Sequence, residues 1–205
     1  MMRTTSEPLD SVVLLHTCCA PCCGAIIQQC LAEGLRPDIF FYNPNVQPYD
    51  EYLQRKASVS AYARKNGLEL IDADYDPDVW LAHTKGLEHE PERGKRCIAC
   101  FAMRLAKTAE YAHAHHYRLF ATTNGFSRWK DAEQVNNCGL NAAAPYPGLT
   151  FLNRNWRLNN AQSQAAAITK TERFYVQKYC GCLSSVKKHT YLTNRVAIAS
   201  PPGRH

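Results

Sequence analysis

The chain reads as an α/β protein, with a parallel sheet covered by helices on both faces and a metal site at the carboxyl ends of the strands. Short apolar runs alternate with longer amphipathic stretches, the pattern of βαβ units. Proline, glycine and asparagine punctuate the joins. The chemically active residues directly follow the apolar runs, where open parallel sheets gather their ligands.

Each element follows in order. SVVLLHT reads as a buried strand, and PCCGAIIQQCLAEG as a helix with Pro21 in its first turn and Gly34 as its stop. PDIFFYNPN is a second strand ending in a turn. DEYLQRKASVSAYARKNG is an amphipathic helix stopped at Gly67, and LELIDADY is the third strand. The stretch 76–95 is charged and irregular. CIACFAMRLAKTAEYAHAHH is a long helix, RLFATTN a fourth strand, and DAEQVNNCG a helix capped by Gly139. ITKTERFYVQKYCGC closes a single domain over 1–186, and a basic segment, 187–205, is expected to be a loosely attached tail. The ends of strands one, two and four carry HTCC, YNPN and TTNGFS, which should converge.

At 205 residues the chain suits one domain. It is 45% apolar and 20% charged, with no run of the ~18 apolar residues that a membrane helix requires. The apolar stretch Val12 to Leu15 is too short for a signal-peptide core, so a soluble, cytoplasmic protein is expected. Ten cysteines in such a chain argue for metal binding or redox chemistry over a disulfide framework. A formal charge of +6 is compatible with a polyanionic partner such as RNA.

Seven thiols form three groups: Cys18, Cys19 and Cys22; Cys97 and Cys100; Cys180 and Cys182. A C-x-x-C pair at a helix start can aim both sulfurs at one centre, where the free amides favour thiolates. Structural zinc closes with about four ligands, so seven grouped thiols suit a four-thiolate cluster plus a second metal or a redox pair. Cys180 and Cys182 flank Gly181, a spacing open to a disulfide or to two separate metals. Cys30, Cys23 and Cys138 read as structural.

Five motifs, LHTCCAPCC, FYNPNVQPYDEYLQR, KRCIACFAMRL, FATTNGFSRWKD and YVQKYCGCLSS, occur in this order and spacing. Together they resemble the cobalamin-independent epoxyqueuosine reductase family of the QueH type, from about Val12 to Ser185. The resemblance implies a Rossmann-like topology of the nucleotide-hydrolase (PP-loop) kind. It also implies two-electron deoxygenation of epoxyqueuosine to queuosine at the wobble position of tRNA, with a 4Fe–4S cluster and a second mononuclear iron. By motif, Cys19, Cys97 and Cys100 would bind the cluster with Cys18 or a CGC thiol as fourth ligand. The remaining thiols, Cys22 among them, would hold the second iron. Gln47, Val176 and Asn155 stand where the family has His, Arg and Asp, and none is a candidate ligand.

The partners expected are the tRNA anticodon loop and an unidentified electron donor, with no membrane. His16, Tyr42 and Lys130 are the candidate proton donors for the departing oxygen. Arg128, Trp129 and Lys130 offer stacking and charge to RNA, and Lys187 and Lys188 add charge beyond them. Three rival readings are a zinc-stabilised RNA-binding module, an iron–sulfur tRNA thiolation enzyme and a thiol–disulfide oxidoreductase. Thiolation by ATP needs a Gly-rich phosphate loop after strand one, where this chain has CCAPCCG.

Overall fold

The computed structural model describes residues 11–190, with side chains through residue 186. Its elements are β1 (Val12–His16), α1 (Ala20–Ala32), β2 (Arg36–Phe41), α2 (Tyr49–Lys65), β3 (Leu70–Asp72), α3 (Pro77–His83) and α4 (Lys95–Ala114). There follow β4 (Leu119–Thr122), a 3-10 turn (Asn124–Phe126), α5 (Ala132–Ala143), β5 (Thr150–Phe151), α6 (Ala161–Thr171) and α7 (Leu183–Thr190).

The five strands form one sheet in the order β3-β2-β1-β4-β5, and every neighbouring pair is parallel. β1 lies at the centre and is buried along its whole length, which is why VVLLH reads as a continuous apolar run. Its residues alternate between two cores. Val13 and Leu15 pack with Ile39, Phe41 and residues of α1, α2 and α6. Val12 and Leu14 pack with Phe40, Phe120 and residues of α4 and α5. The helices therefore cover both faces, as the α/β reading requires.

Successive strands step from β1 to β2 to β3, and the chain then crosses back to place β4 on the other side of β1. This reversal opens a crevice beyond the carboxyl ends of β1 and β4. Backbone bonds carry both ladders one step past the end of β1: Thr17 N–H donates to Phe40 O on the β2 side, and Thr123 N–H donates to His16 O on the β4 side, each at 2.9 Å. Asn43 Nδ2 donates to Thr17 O. The three strand ends thus converge.

Four features differ from the sequence expectation. α3 occupies part of the stretch read as irregular, started by Asp76, whose side chain caps Val79 N. β5 is two residues long and α6 lies in a segment without a strong periodic signal. α5 does not stop at Gly139 but continues to Ala143. Gly139 is there because a Cβ would lie 2.3 Å from Phe151 Cζ, so the glycine admits β5 against the helix. Finally, α7 runs across the boundary expected after residue 186; Lys187 and Lys188 belong to it, and 191–205 lie outside the described residues.

Candidate metal centre

β1 leads directly into Cys18 and Cys19, and α1 begins at Ala20 with Cys19 as its N-cap residue. Pro21 pre-sets the first helical turn and Cys22 follows within it. The three sulfurs lie within 4.8 Å of one another and all three residues are buried. Hydrogen bonds from the Cys19 and Cys22 thiols hold the Cys18 pKa well below the ordinary thiol value, with Lys130 and Arg104 aiding against burial. Hydrogen bonding to Cys18, with burial, pushes Cys19 up to about 12, and hydrogen bonding to Cys18 and Cys19, with burial, raises Cys22 as well. Of the three thiols, Cys18 is therefore the one whose ionisation the surroundings favour.

The second set stands beside it. α4 presents Cys97 and Cys100, and the turn before α7 presents Cys180 and Cys182; all four line one small cavity of ≈ 30 Å³. An adjoining cavity of ≈ 310 Å³ is lined by Cys18, Cys22 and again Cys180. Cys180 and Lys130 border both cavities, and so does the exposed Trp129. Burial raises Cys180 to about 11 against the pull of Lys130, and burial also raises Cys97, whose sulfur accepts from Arg93 N–H at 3.3 Å.

The remaining cysteines lie apart from this chemistry. Cys23 donates to Ala20 O, Cys138 to Ile98 O, and Cys30 is fully buried in the core.

Lys130 is buried, so it does not present its charge to surface phosphates. Its Nζ donates to Asn124 Oδ1 at 2.8 Å and stands 3.8 Å from Cys18 Sγ. Burial opposes its charge, yet the neighbouring Cys18 and Cys180 outweigh that and raise its pKa. Arg128 is exposed and lies over the Trp129 ring at 5.3 Å. Arg93 fixes that loop by donating to the carbonyls of Arg128 and Trp129.

His16 and Tyr42 line neither cavity. His16 is fully buried, with Nδ1 on Thr122 Oγ1 and Nε2 near Tyr42 O, and burial lowers its pKa to about 3. The ring therefore pins β1 to its neighbours as a neutral group. Tyr42 is packed in the core between the sheet and α4, and burial raises its pKa.

Three side chains that contact the cysteines were absent from the sequence reading. Arg104 is 1% exposed and reaches Asn43 Oδ1 at 2.6 Å, His16 Nε2 at 3.2 Å and Cys100 Sγ at 4.0 Å. Its spacing from Cys100 and Cys97, four and seven residues on, put it on their helix face and was the available signal. Arg55 shares its helix face with Glu51 and Val59 in the same way. Gln177 donates to Cys19 Sγ at 3.0 Å, and no local pattern announced it.

The surroundings fit an anionic metal–thiolate group. Among the described residues, Arg104 and Lys130 pair with no carboxylate, although a buried cation needs compensation. Gln177 Nε2 adds a donor to Cys19 Sγ, whereas the acceptors Asn45 Oδ1 and Gln177 Oε1, buried without a protein partner, suit a donor or a metal ion in place of an anion. Of the three unusual residues, Gln47 meets the CGC turn through its backbone while its side-chain Oε1 is buried without a protein partner, Val176 is exposed, and Asn155 accepts from Arg157 N–H.

Comparison with known proteins gives a consistent result. A family model described as epoxyqueuosine reductase QueH matches residues 13–188. A Haemophilus influenzae protein of that name is 48% identical over 175 residues, covering 85% of this chain and 71% of the relative. The Acinetobacter baylyi protein of the same name is 45% identical, with 85% and 80% covered. A Thermotoga maritima protein, also so named, is 30% identical over 190 residues, with 89% and 96% covered. No helix among the described residues is long and apolar enough to cross a membrane.

Proposed function

The chain belongs to the epoxyqueuosine reductase QueH family, and from that premise we propose how its residues reduce the epoxide of epoxyqueuosine in tRNA. The reaction converts the epoxide, two electrons and two protons into the alkene of queuosine and one water. Six of the seven grouped thiols line two adjoining cavities and the seventh, Cys19, lies with Cys18 and Cys22, and this convergence carries the reading.

We assign Cys18, Cys19, Cys22, Cys97, Cys100, Cys180 and Cys182 to a 4Fe–4S cluster and a second mononuclear iron. When bound, such a centre supplies single electrons in sequence and a Lewis acid for the epoxide oxygen. The protein's part is to hold and to exclude. α1 aims its free amides at the first thiol group, and the buried Arg104 and Lys130 offset the negative charge of the centre. Lys130 keeps a proton on Nζ at the border of both cavities, which makes it the best placed donor of a hydrogen bond to a departing oxygen. His16 and Tyr42 support the site from beneath.

The wobble base enters the larger cavity extruded from the anticodon loop. Trp129, 59% exposed at the cavity edge, offers the stacking face, with Arg128 above it and Lys178 on the rim. Lys187 and Lys188 are assigned to phosphates. The electrons come from a donor outside the chain, and we place the reaction in the cytoplasm.

The test is anaerobic purification followed by iron, sulfide and zinc analysis, EPR of the reduced protein, and mass spectrometry of tRNA carrying epoxyqueuosine. Iron with sulfide and loss of the epoxide oxygen are expected. Stoichiometric zinc without sulfide, in protein inert on that tRNA, would overturn the assignment.

A further inference from the structure

We infer that Arg55 is a positioning residue that fixes the backbone at Cys180 and thereby holds the two thiol groups in register. The inference rests on the reading of these seven thiols as one metal centre. Cys180 borders both cavities, so its position decides whether the Cys18–Cys19–Cys22 group and the Cys97–Cys100–Cys182 group adjoin.

The chain between α6 and α7 reaches that position over the face of α2. Tyr175 N–H donates to Ser58 Oγ and its hydroxyl to Glu51. The Tyr179 hydroxyl donates to Gln47 O, and Gln47 N–H donates to Gly181 O at 2.9 Å. Arg55 closes the set: Nη2 donates to Tyr179 O at 2.9 Å and Nη1 to Cys180 O at 3.0 Å, two successive carbonyls taken by one planar fork. Its Nε donates to Glu51 Oε1 at 2.8 Å, so the buried charge is paired within α2. That charge also acts on Cys19 and Cys18, but at Cys180 what Arg55 brings is geometry, through the two carbonyls it holds.

Gly181 completes the fit. It sits at φ +132, and a Cβ there would lie 3.0 Å from Val46 Cγ2 and 3.2 Å from Arg55 Nη1. The turn can therefore press against the guanidinium only as glycine. A lysine at 55 would keep the charge beside Glu51 but cannot span both carbonyls.

The experiment uses the full chain, metal-free and reduced. Glu51→Gln/Arg55→Met removes the pair together and leaves no unmatched buried charge, and Arg55→Lys is the conservative variant. Iodoacetamide labelling of Cys180 is measured by peptide mass spectrometry relative to Cys97, which sits on α4, with circular dichroism to confirm folding. The Cys180-to-Cys97 ratio should rise by about tenfold or more in the double variant, the factor expected from losing one charge-assisted hydrogen bond. Iron retained after reconstitution should fall in parallel, and Arg55→Lys should lie between. An unchanged ratio in the double variant overturns the inference; should that variant not fold, an unchanged ratio in Arg55→Lys overturns it instead. The readout does not use tRNA, so a raised ratio in a protein whose wild type is inert on epoxyqueuosine tRNA refutes the proposed function alone.

Discussion

Lys130→Met removes a buried cation whose Nζ stands 3.8 Å from Cys18 Sγ. With an effective dielectric near 20, a unit charge at that distance favours the thiolate by about 4 kcal/mol, a ceiling of about a thousandfold in thiolate over thiol. Not all of this is lost. Burial opposes the ammonium itself, and Cys19, Cys22 and Arg104 continue to hold the charge on Cys18. The net expectation is an upward move of about one to two pH units in the midpoint of Cys18 alkylation in the metal-free protein. Asn124 Oδ1 loses its partner, at a cost of about 1–3 kcal/mol in stability. A urea denaturation curve separates that cost from the change in reactivity. A Cys18 pH profile that superimposes on the wild type would refute the electrostatic role of Lys130.

Trp129→Ala should weaken binding of an anticodon stem-loop by about 1–3 kcal/mol, the worth of one stacked base, as read by fluorescence anisotropy; unchanged affinity would remove Trp129 from the RNA surface. His16 is neutral when folded, its pKa lowered to about 3 from 6.5 by burial. Its contribution is complete above pH 6.5 and is lost as pH falls toward 3, at about 1.4 kcal/mol per pH unit. His16→Gln should therefore flatten the acid limb of the stability curve, measured by urea midpoints. Gly139→Ala gains up to about 1 kcal/mol in helix propensity but drives a methyl into Phe151. Overpacking of about 1–3 kcal/mol should prevail, giving a lower Tm in calorimetry.

The strands and helices that bury complete faces were legible because burial imposes a period on sequence. β1, α1, α2 and α4 stand where their patterns placed them. β5 was not legible, since two residues carry no period and its pairing depends on β4 already being in place. The end of α5 was misread for a related reason: Gly139 resembles a cap locally, and only Phe151, distant in the chain, gives it another purpose. At the site, spacing announced the thiols, because C-x-x-C places both sulfurs on one side of a helix start. It did not announce their two groups, which depend on how the turn before α7 folds back over α2. Nor did it announce Arg55 and Arg104, whose charges look like those of solvated helix surfaces until the fold encloses them.

The grouped thiols come from widely separated parts of the chain, the first immediately after β1 and the last immediately before α7. During synthesis, Cys18, Cys19 and Cys22 leave the ribosome long before Cys180 and Cys182 exist. The intervening chain must close on itself before the set is complete, and that closure carries an entropic cost that only later contacts repay. On the proposed assignment, metal loading would be a late event in the life of the molecule. A chain cut short anywhere before Tyr179 would carry reactive sulfur without the means to finish its centre.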